Sequence, residues 1–148
     1  MGSVLLQARS SADGVTIRLD GETVSHTAVT GAFVVFAAQP GRRTVTAWRQ
    51  GYLTSRTVVD VRPHRVTDVG STLLVAGDAW ADGTIDILDV LNVSAAFDRC
   101  EGDSSFQSWL DFNADGCINA PDLSIVTSNF GYRAPTIWSA APPIESFP

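Results

Sequence analysis

Residues 111–122 read DFNADGCINAPD, and this stretch decides the fold of the second half of the chain. Side-chain oxygens stand at its first, third, fifth, ninth and twelfth positions, in Asp111, Asn113, Asp115, Asn119 and Asp122. Gly116 stands at the sixth position, where the chain needs a sharp turn that glycine makes without strain. A hard cation takes about six to eight oxygens, so the spacing predicts a calcium loop with the Cys117 carbonyl as a further ligand.

A second copy of the pattern, DAWADGTIDILD, occupies residues 78–89. Its candidate ligands are the side chains of Asp78, Asp82, Asp86 and Asp89 and the carbonyl of Thr84. Its third position is Trp80, which has no side-chain oxygen. We therefore expect the first site to bind calcium more weakly than the second. Three alternatives stay open for Trp80: it packs toward the first half of the chain, it packs toward a partner, or it is a chance replacement at a weakened site.

An apolar stripe with helical spacing follows each loop. The stripe consists of Val90, Val93 and Phe97 after the first loop and of Leu123, Val126 and Phe130 after the second. This spacing predicts one helix after each loop, with the stripe facing inward. No helical pattern precedes either loop, so each unit is predicted to be a loop followed by a helix, without the first helix of an ordinary EF-hand.

The first half of the chain differs in charge and in periodicity. Residues 1–70 hold eight arginines and five acids, whereas residues 71–148 hold two arginines and eleven acids. Turn residues separate short alternating segments at 4–9, 14–19, 22–27, 43–49, 56–62 and 65–75 and an apolar run at 32–38. The pattern predicts a small antiparallel β-sandwich of about seven strands, with 32–38 as a buried strand. We expect a sandwich at 1–71, a calcium-loop domain at 72–133 and a Pro-rich tail at 134–148.

The composition argues against several classes of function. The acidic second half would repel nucleic acid, and no apolar run approaches the roughly 20 residues of a membrane span. His26 and His64 have no nucleophile motif beside them, and the paired carboxylates are assigned to calcium, so we expect no catalysis. The start of the chain shows no leader pattern, and we expect a fragment of a longer extracellular protein.

Two cysteines leave two alternatives open. In the first, Cys100 and Cys117 form a disulfide, which would suit an extracellular protein; in the second, they remain two free thiols.

The two loop–helix units, with aspartate at both twelfth positions, resemble a dockerin domain over about residues 72–133. This resemblance implies two structural calcium ions and a complex with a cohesin module on another protein. Residues 4–72 resemble the carboxypeptidase-regulatory-like, transthyretin-like sandwiches through Thr30-Gly31-Ala32-Phe33, Gln39-Pro40-Gly41-Arg42 and Trp48 with Gly51-Tyr52. The combination is similar to an X-module beside a dockerin, as in extracellular, cellulosome-like proteins of polysaccharide metabolism.

The dockerin resemblance also implies where a partner binds, at the end of each loop and along the exposed side of the following helix. These positions are Ile87, Leu88, Leu91, Ser94 and Ala95 in the first unit, and Ala120, Pro121, Ser124, Thr127 and Ser128 in the second. We expect the apolar first face to be the main cohesin-contacting surface. The alternative is that Ile87 and Leu88 pack on the sandwich.

A different function remains open for the sandwich. Exposed aromatic side chains such as Trp48, Tyr52 and Trp138 would form a flat platform for sugar rings, which would make the chain a carbohydrate-binding accessory module.

Overall fold

The computed structural model describes residues 1–36 and 38–139 of the chain. The strands of the first half are β1 (Gly2–Leu6), β2 (Thr16–Leu19), β3 (Glu22–His26), β4 (Ala32–Phe33), β5 (Gly41–Trp48), β6 (Gly51–Tyr52), β7 (Ser55–Val61) and β8 (Ser71–Leu74). The remaining elements are β9 (Ala76–Asp78), α1 (Ile87–Ala95), β10 (Arg99–Cys100), β11 (Cys117–Ile118), α2 (Ala120–Ser128) and β12 (Trp138–Ser139).

Two four-stranded sheets form the sandwich that the alternating pattern predicts. One sheet has the strand order β12-β8-β1-β4 and the other has the order β3-β2-β5-β7. Successive side chains of a strand point to opposite faces, so Val4 and Leu6 from one sheet and Ile17, Val45 and Ala47 from the other are buried between the sheets. The predicted fold class, a β-sandwich followed by a small helical domain, is confirmed.

The sandwich is not wholly antiparallel, because β1 and β8 run parallel with Leu5 beside Leu73. Parallel neighbours need a long connection rather than a hairpin, and here the chain between β1 and β8 builds the whole second sheet. No local turn signal in the sequence reports such a pairing.

The expected buried strand at 32–38 is wrong beyond Phe33. The strand ends there because its partner β1 ends too: Ala32 pairs with Ser3 and Phe33 pairs with Gly2, the first residue of β1. The chain then leaves the sheet, and Phe36 is 86% exposed.

The C-terminal edge of the sandwich changes the expected domain limits. Strand β8 pairs with β1 over its whole length, so we place the boundary after Leu74 rather than after residue 71. The segment after the second helix returns to this sheet, where Trp138 is buried and pairs with Thr72. Of the expected tail, residues 136–139 therefore lie on the sandwich, with Ile137 exposed, whereas the Ala134 N–H donates to the Gly83 carbonyl of the first loop. Residues 140–148 lie outside the described residues.

Each helix starts on a capping box built from the end of the loop before it. The Asp86 carboxylate accepts from the Leu88 N–H at 2.8 Å, and the Asp89 carboxylate accepts from the Asp86 N–H at 2.7 Å. At the second helix, Asp122 accepts from the Asn119 N–H at 3.0 Å. These reciprocal bonds satisfy N–H groups that have no partner within the helix, so the sequence at the end of each loop fixes where the helix begins.

The expected inward stripes are only partly correct. Val93 and Val126 are fully buried, whereas Phe97 and Phe130 are exposed. The reason is that α1 ends at Ala95 and α2 ends at Ser128, so both phenylalanines follow the helix ends and leave the helical face. Within the described ranges no helix leads directly into either loop: β9 leads into the first loop, and no helix lies between β10 and the second loop.

One continuous core joins the sandwich to the loop–helix domain. Strand β6 of the first half pairs with β9, which leads into the first calcium loop. The Tyr52 ring meets the Phe112 ring edge-on, with 6.0 Å between centroids, and both side chains are buried. No helix among the described residues has the length and apolar character needed to cross a membrane.

Candidate functional site

The second loop wraps around the carboxylate at its first position. Asp111 accepts hydrogen bonds from the N–H groups of Asp115 at 3.2 Å and Gly116 at 3.0 Å. The turn needs left-handed backbone at two positions, Ala114 with φ 59° and Gly116 with φ 91°. Glycine adopts this conformation without strain and alanine does not, so the sequence pattern identified only the glycine.

Asp122 closes the second loop from its twelfth position. Its carboxylate accepts from the N–H groups of Phe112 at 2.7 Å and Asn119 at 3.0 Å. The side-chain oxygen of Asn119, at the ninth position, is buried and receives no hydrogen bond. A buried acceptor without a donor is costly, and a cation inside the loop would satisfy it.

The first loop repeats the same hydrogen-bond pattern. Asp78 accepts from the N–H groups of Asp82 at 3.1 Å and Gly83 at 3.2 Å. Asp89 accepts from the N–H groups of Trp80 at 2.8 Å and Asp86 at 2.7 Å. The loop is therefore built even though its third residue has no side-chain oxygen, because the backbone of Trp80 supplies the closing contact.

The third position is where the two loops differ chemically. The Asn113 side chain donates to the Asp115 carboxylate at 2.9 Å and lies at the loop. Trp80 is 60% exposed instead, so it does not pack into the sandwich. The first loop thus has one side-chain oxygen fewer for a cation.

Buried carboxylates make both loops electrostatically unfavourable without a counter-charge. Burial, with a further contribution from the charge of Asp89, raises the pKa of Asp78 to about 6. Burial also raises the pKa of Asp89 and of Asp122 above the ordinary range. Hydrogen bonds from the Asn113 side chain, the largest cause, and from the Cys117 N–H lower the pKa of the exposed Asp115. A divalent cation would reverse the penalty on the buried carboxylates.

The donor set fits calcium on one condition. Among the residues that the structure describes, no three His, Cys, Asp or Glu side chains gather closely enough to hold a metal ion by themselves. Amide, backbone and water oxygens must therefore complete each shell, and the buried Asn119 oxygen and the carbonyls of Thr84 and Cys117 are the candidates. Calcium accepts such mixed oxygen shells.

The ten expected partner-contacting residues are all exposed, and they form two different faces. In α1, Ile87 is 56%, Leu88 is 43% and Leu91 is 57% exposed. The alternative in which Ile87 and Leu88 pack on the sandwich is therefore wrong. Ser94 and Ala95 extend the same exposed set.

The second face is small and hydroxylic. Ala120 and Pro121 are exposed at the start of α2. The hydroxyls of Ser124, Thr127 and Ser128 donate to backbone carbonyls one turn earlier in their own helix, at 2.8, 2.9 and 2.6 Å. These donors are already satisfied, so this face offers a partner less apolar area and fewer free hydrogen bonds than α1.

Cys100 and Cys117 form a disulfide, which excludes the alternative of two free thiols. The two residues lie opposite each other in the antiparallel pair of β10 and β11. The bond ties the segment after α1 to the seventh position of the second loop.

The aromatic platform expected for a carbohydrate-binding module does not form. Tyr52 and Trp138 are buried. Trp48 is half-buried, and the Arg18 guanidinium lies 5.3 Å from its ring centroid. The three side chains thus leave no flat exposed row.

Sequence reasoning missed the residues through which the sandwich holds the loop domain. Arg9 donates to the backbone carbonyl of Asp111, the first residue of the second loop. Gln7 accepts from the Asn129 side chain at 2.7 Å and from the Ala76 N–H at 3.0 Å. These contacts join residues far apart in the chain, and no local pattern reports them.

Comparison with known proteins shows what the second domain is similar to. Residues 76–131 match the model of the dockerin type I domain. A stretch of 65 residues is 34% identical to cellulosomal-scaffolding protein B of Acetivibrio thermocellus, covering 44% of this chain and 8% of that protein. Cellulosomal-scaffolding protein A of the same species is also 34% identical over 65 residues, covering 44% of this chain and 4% of that protein. The chain thus spans under a tenth of the length of these relatives.

The whole two-domain arrangement also has similar solved structures. Two crystal structures of a type II cohesin–X–dockerin complex from Acetivibrio cellulolyticus match with a TM-score of 0.74 and 26% identity. One contains a C-terminal and the other an N-terminal interface mutant. In both, the match covers 89% of this chain and 94% of the other.

Proposed function

We propose that residues 76–131, which match the dockerin type I model, form a dockerin domain after an X-module-type sandwich, and that this chain is a non-catalytic adhesion module that binds a cohesin. In this role it anchors a larger extracellular or cell-surface protein to a scaffold. The cellulosomal scaffolding relatives and the cohesin-bound structural neighbours support this assignment.

The exposed apolar face of α1 is the observation that carries the proposal. Three large aliphatic side chains, Ile87, Leu88 and Leu91, stand outside the core on one short helix. Contiguous apolar area on a protein surface marks an interaction site, and such side chains anchor interfaces when a partner covers them. We therefore assign the main cohesin contact to α1, with Ser94 and Ala95 at its end.

The face of α2 makes a smaller contribution in this proposal. Its exposed residues are Ala120, Pro121, Ser124, Thr127 and Ser128. The two helices follow loops of the same geometry, yet only α1 presents large apolar side chains. A partner that recognises aliphatic side chains therefore binds the chain in one orientation.

Calcium organises this surface by folding the loops. We propose two ions, one in each loop, with the first site weaker because Trp80 replaces an oxygen ligand. Asp89 and Asp122 have two roles: each would bind the ion, and each caps the start of the helix that carries the contact residues. Removing calcium would release these caps, so cohesin binding should require calcium.

The two-domain match favours a type II cohesin as the partner. The type I dockerin model covers residues 76–131 only, whereas the type II complexes are matched over both domains of this chain. The domain arrangement therefore supports a type II partner, and the sandwich would then lie beside the cohesin-binding domain as a fixed accessory.

A binding assay against purified type I and type II cohesins, with calcium and with a chelator, tests the proposal. We expect binding in calcium only, and Leu88→Asp to weaken it by more than about 2 kcal/mol, or about thirtyfold in Kd. Thr127→Asp places the same charge on the other helix and should have a smaller effect.

Two results would contradict the proposal. Failure to bind any cohesin in calcium would remove the assigned function. A larger loss from Thr127→Asp than from Leu88→Asp would keep the function but transfer the contact to α2.

A further inference from the structure

A polar crevice lies at the junction of the two domains, apart from the α1 face. It has two adjoining parts of about 350 and 320 Å³. Arg9, Asp13 and Arg49 line both parts. The half-buried Trp109 adds an aromatic wall to the first part, where the buried Tyr52 also lies. The crevice therefore combines two cations with one aromatic surface, and none of the ten residues assigned to the cohesin contact lines it.

The side-chain hydrogen bonds of the two arginines go to backbone carbonyls. Arg9 donates from Nη2 to the carbonyls of Ser108 and Asp111, and Arg49 donates from Nη1 to the carbonyl of Asp13. Neither guanidinium forms an ion pair within the part of the chain that the structure describes. The Nε–H of Arg9 is buried and has no acceptor. A guanidinium has five N–H donors, so most donors of the pair have no protein acceptor among the described residues.

The charge balance of the crevice favours an anion. Two guanidinium groups face one lining carboxylate, that of Asp13, which is exposed. Burial, with the charge of Arg9 as a second cause, lowers the pKa of Arg49. Paired arginines bind carboxylates through parallel N–H bonds in a geometry that water does not match.

We propose that this junction crevice binds a small organic carboxylate between Arg9 and Arg49, with the carbon skeleton of the anion against Trp109. The anion accepts hydrogen bonds from the guanidinium N–H groups that do not donate to backbone carbonyls. Because its two arginines come from the sandwich and its Trp109 wall comes from the loop domain, a bound carboxylate also bridges the two domains.

Titration of the full chain with succinate, at saturating calcium, tests the proposal. NMR would follow the Nε–H signals of the arginines and the indole N–H of Trp109. We expect saturable shifts of the Arg9, Arg49 and Trp109 signals with succinate, and none with the neutral analogue succinamide. The same titration with sulfate shows whether the site prefers a carboxylate to another oxyanion.

Two arginine variants provide the matched comparison. Arg49→Gln should weaken succinate binding by about tenfold or more, because one charged hydrogen-bonding partner is lost. Arg56→Gln removes an exposed arginine on β7, which does not line the crevice, and should leave the affinity unchanged. Arg49→Lys, which keeps the charge, should recover part of the affinity and serves if the glutamine variant folds poorly.

Three results would overturn the assignment. They are the absence of saturable shifts with succinate, equal shifts with succinamide, and equal losses in the Arg49→Gln and Arg56→Gln variants. In each case Arg9 would only connect the sandwich to the loop domain, and Arg49 would only stabilise the sandwich through its bond to the Asp13 carbonyl. Cohesin binding is measured separately, so failure of this proposal leaves the adhesion function untouched.

Discussion

Gln7 should contribute strongly to stability, because its side chain fastens the sandwich to the helical domain. Its Oε1 accepts from the buried Ala76 N–H at 3.0 Å and from the Asn129 Nδ2 at 2.7 Å. Asn129 also donates to the Ala76 carbonyl at 2.8 Å. The three residues form one closed polar network between β1, β9 and the end of α2. We expect Gln7→Ala to break that network while leaving the calcium loops intact.

The size of the effect follows from the groups that lose their partners. The substitution leaves the Ala76 N–H without this acceptor in a fully buried position, which costs about 1–3 kcal/mol. The lost bond to Asn129 adds roughly 1 kcal/mol, since Asn129 keeps its bond to the Ala76 carbonyl. The expected loss in the free energy of unfolding is therefore about 2–4 kcal/mol.

Urea denaturation of the calcium-loaded chain measures this loss, with Gln39→Ala as the control. Gln39 is exposed, so its truncation should change the free energy of unfolding by under about 0.5 kcal/mol. A double-mutant cycle with Asn129→Ala should show coupling of about 1 kcal/mol between Gln7 and Asn129. Equal effects of Gln7→Ala and Gln39→Ala, or additive losses in the cycle, would refute the reasoning.

Three further predictions concern the junction, the loops and the disulfide. Gly51→Ala would place a Cβ 2.5 Å from the Trp109 carbonyl oxygen at φ +84°, so thermal unfolding should show a loss of at least about 2 kcal/mol, and unchanged stability would contradict it. Burial and a neighbouring carboxylate raise the pKa of Asp78 from 3.8 to about 6. In chelator the folded chain therefore binds this proton more tightly than the unfolded chain. Its stability should fall by up to about 3 kcal/mol as the pH rises through that range, whereas calcium should reverse the slope; equal slopes in urea titrations would argue against this. Replacing Cys100 and Cys117 with serine should cost on the order of 3 kcal/mol in guanidinium unfolding, and an unchanged midpoint would show that the bond does not stabilise the fold.

The sequence predicted the geometry of the two loops well because that geometry is local. The candidate ligand oxygens, the turn glycine and the helix cap of each loop all lie within 12 consecutive residues. Asp122, for example, accepts from N–H groups at three other positions of its own loop. Local spacing therefore carried enough information to place both loops and the start of both helices.

Hydrophobicity predicted burial less well. Phe36 belongs to the apolar run at 32–38, and Phe97 and Phe130 belong to the helical stripes, so all three were expected to be buried. All three are exposed. Each lies where its element has already ended, because a partner strand or a helix stops earlier than the apolar pattern does. Burial depends on what packs against a side chain, and a single-chain periodicity does not contain that information.

The sequence by itself determined the repeated loop–helix units, the sandwich pattern and the apolar face of α1, because these follow from short-range spacing. Only the tertiary structure decided which distant groups meet: β1 beside β8, and Gln7 against Asn129 across 122 residues of chain. It also brought Arg9 and Arg49 together at the junction crevice. Such contacts form because the two domains bury one shared core, and burial then selects the polar groups that can satisfy each other.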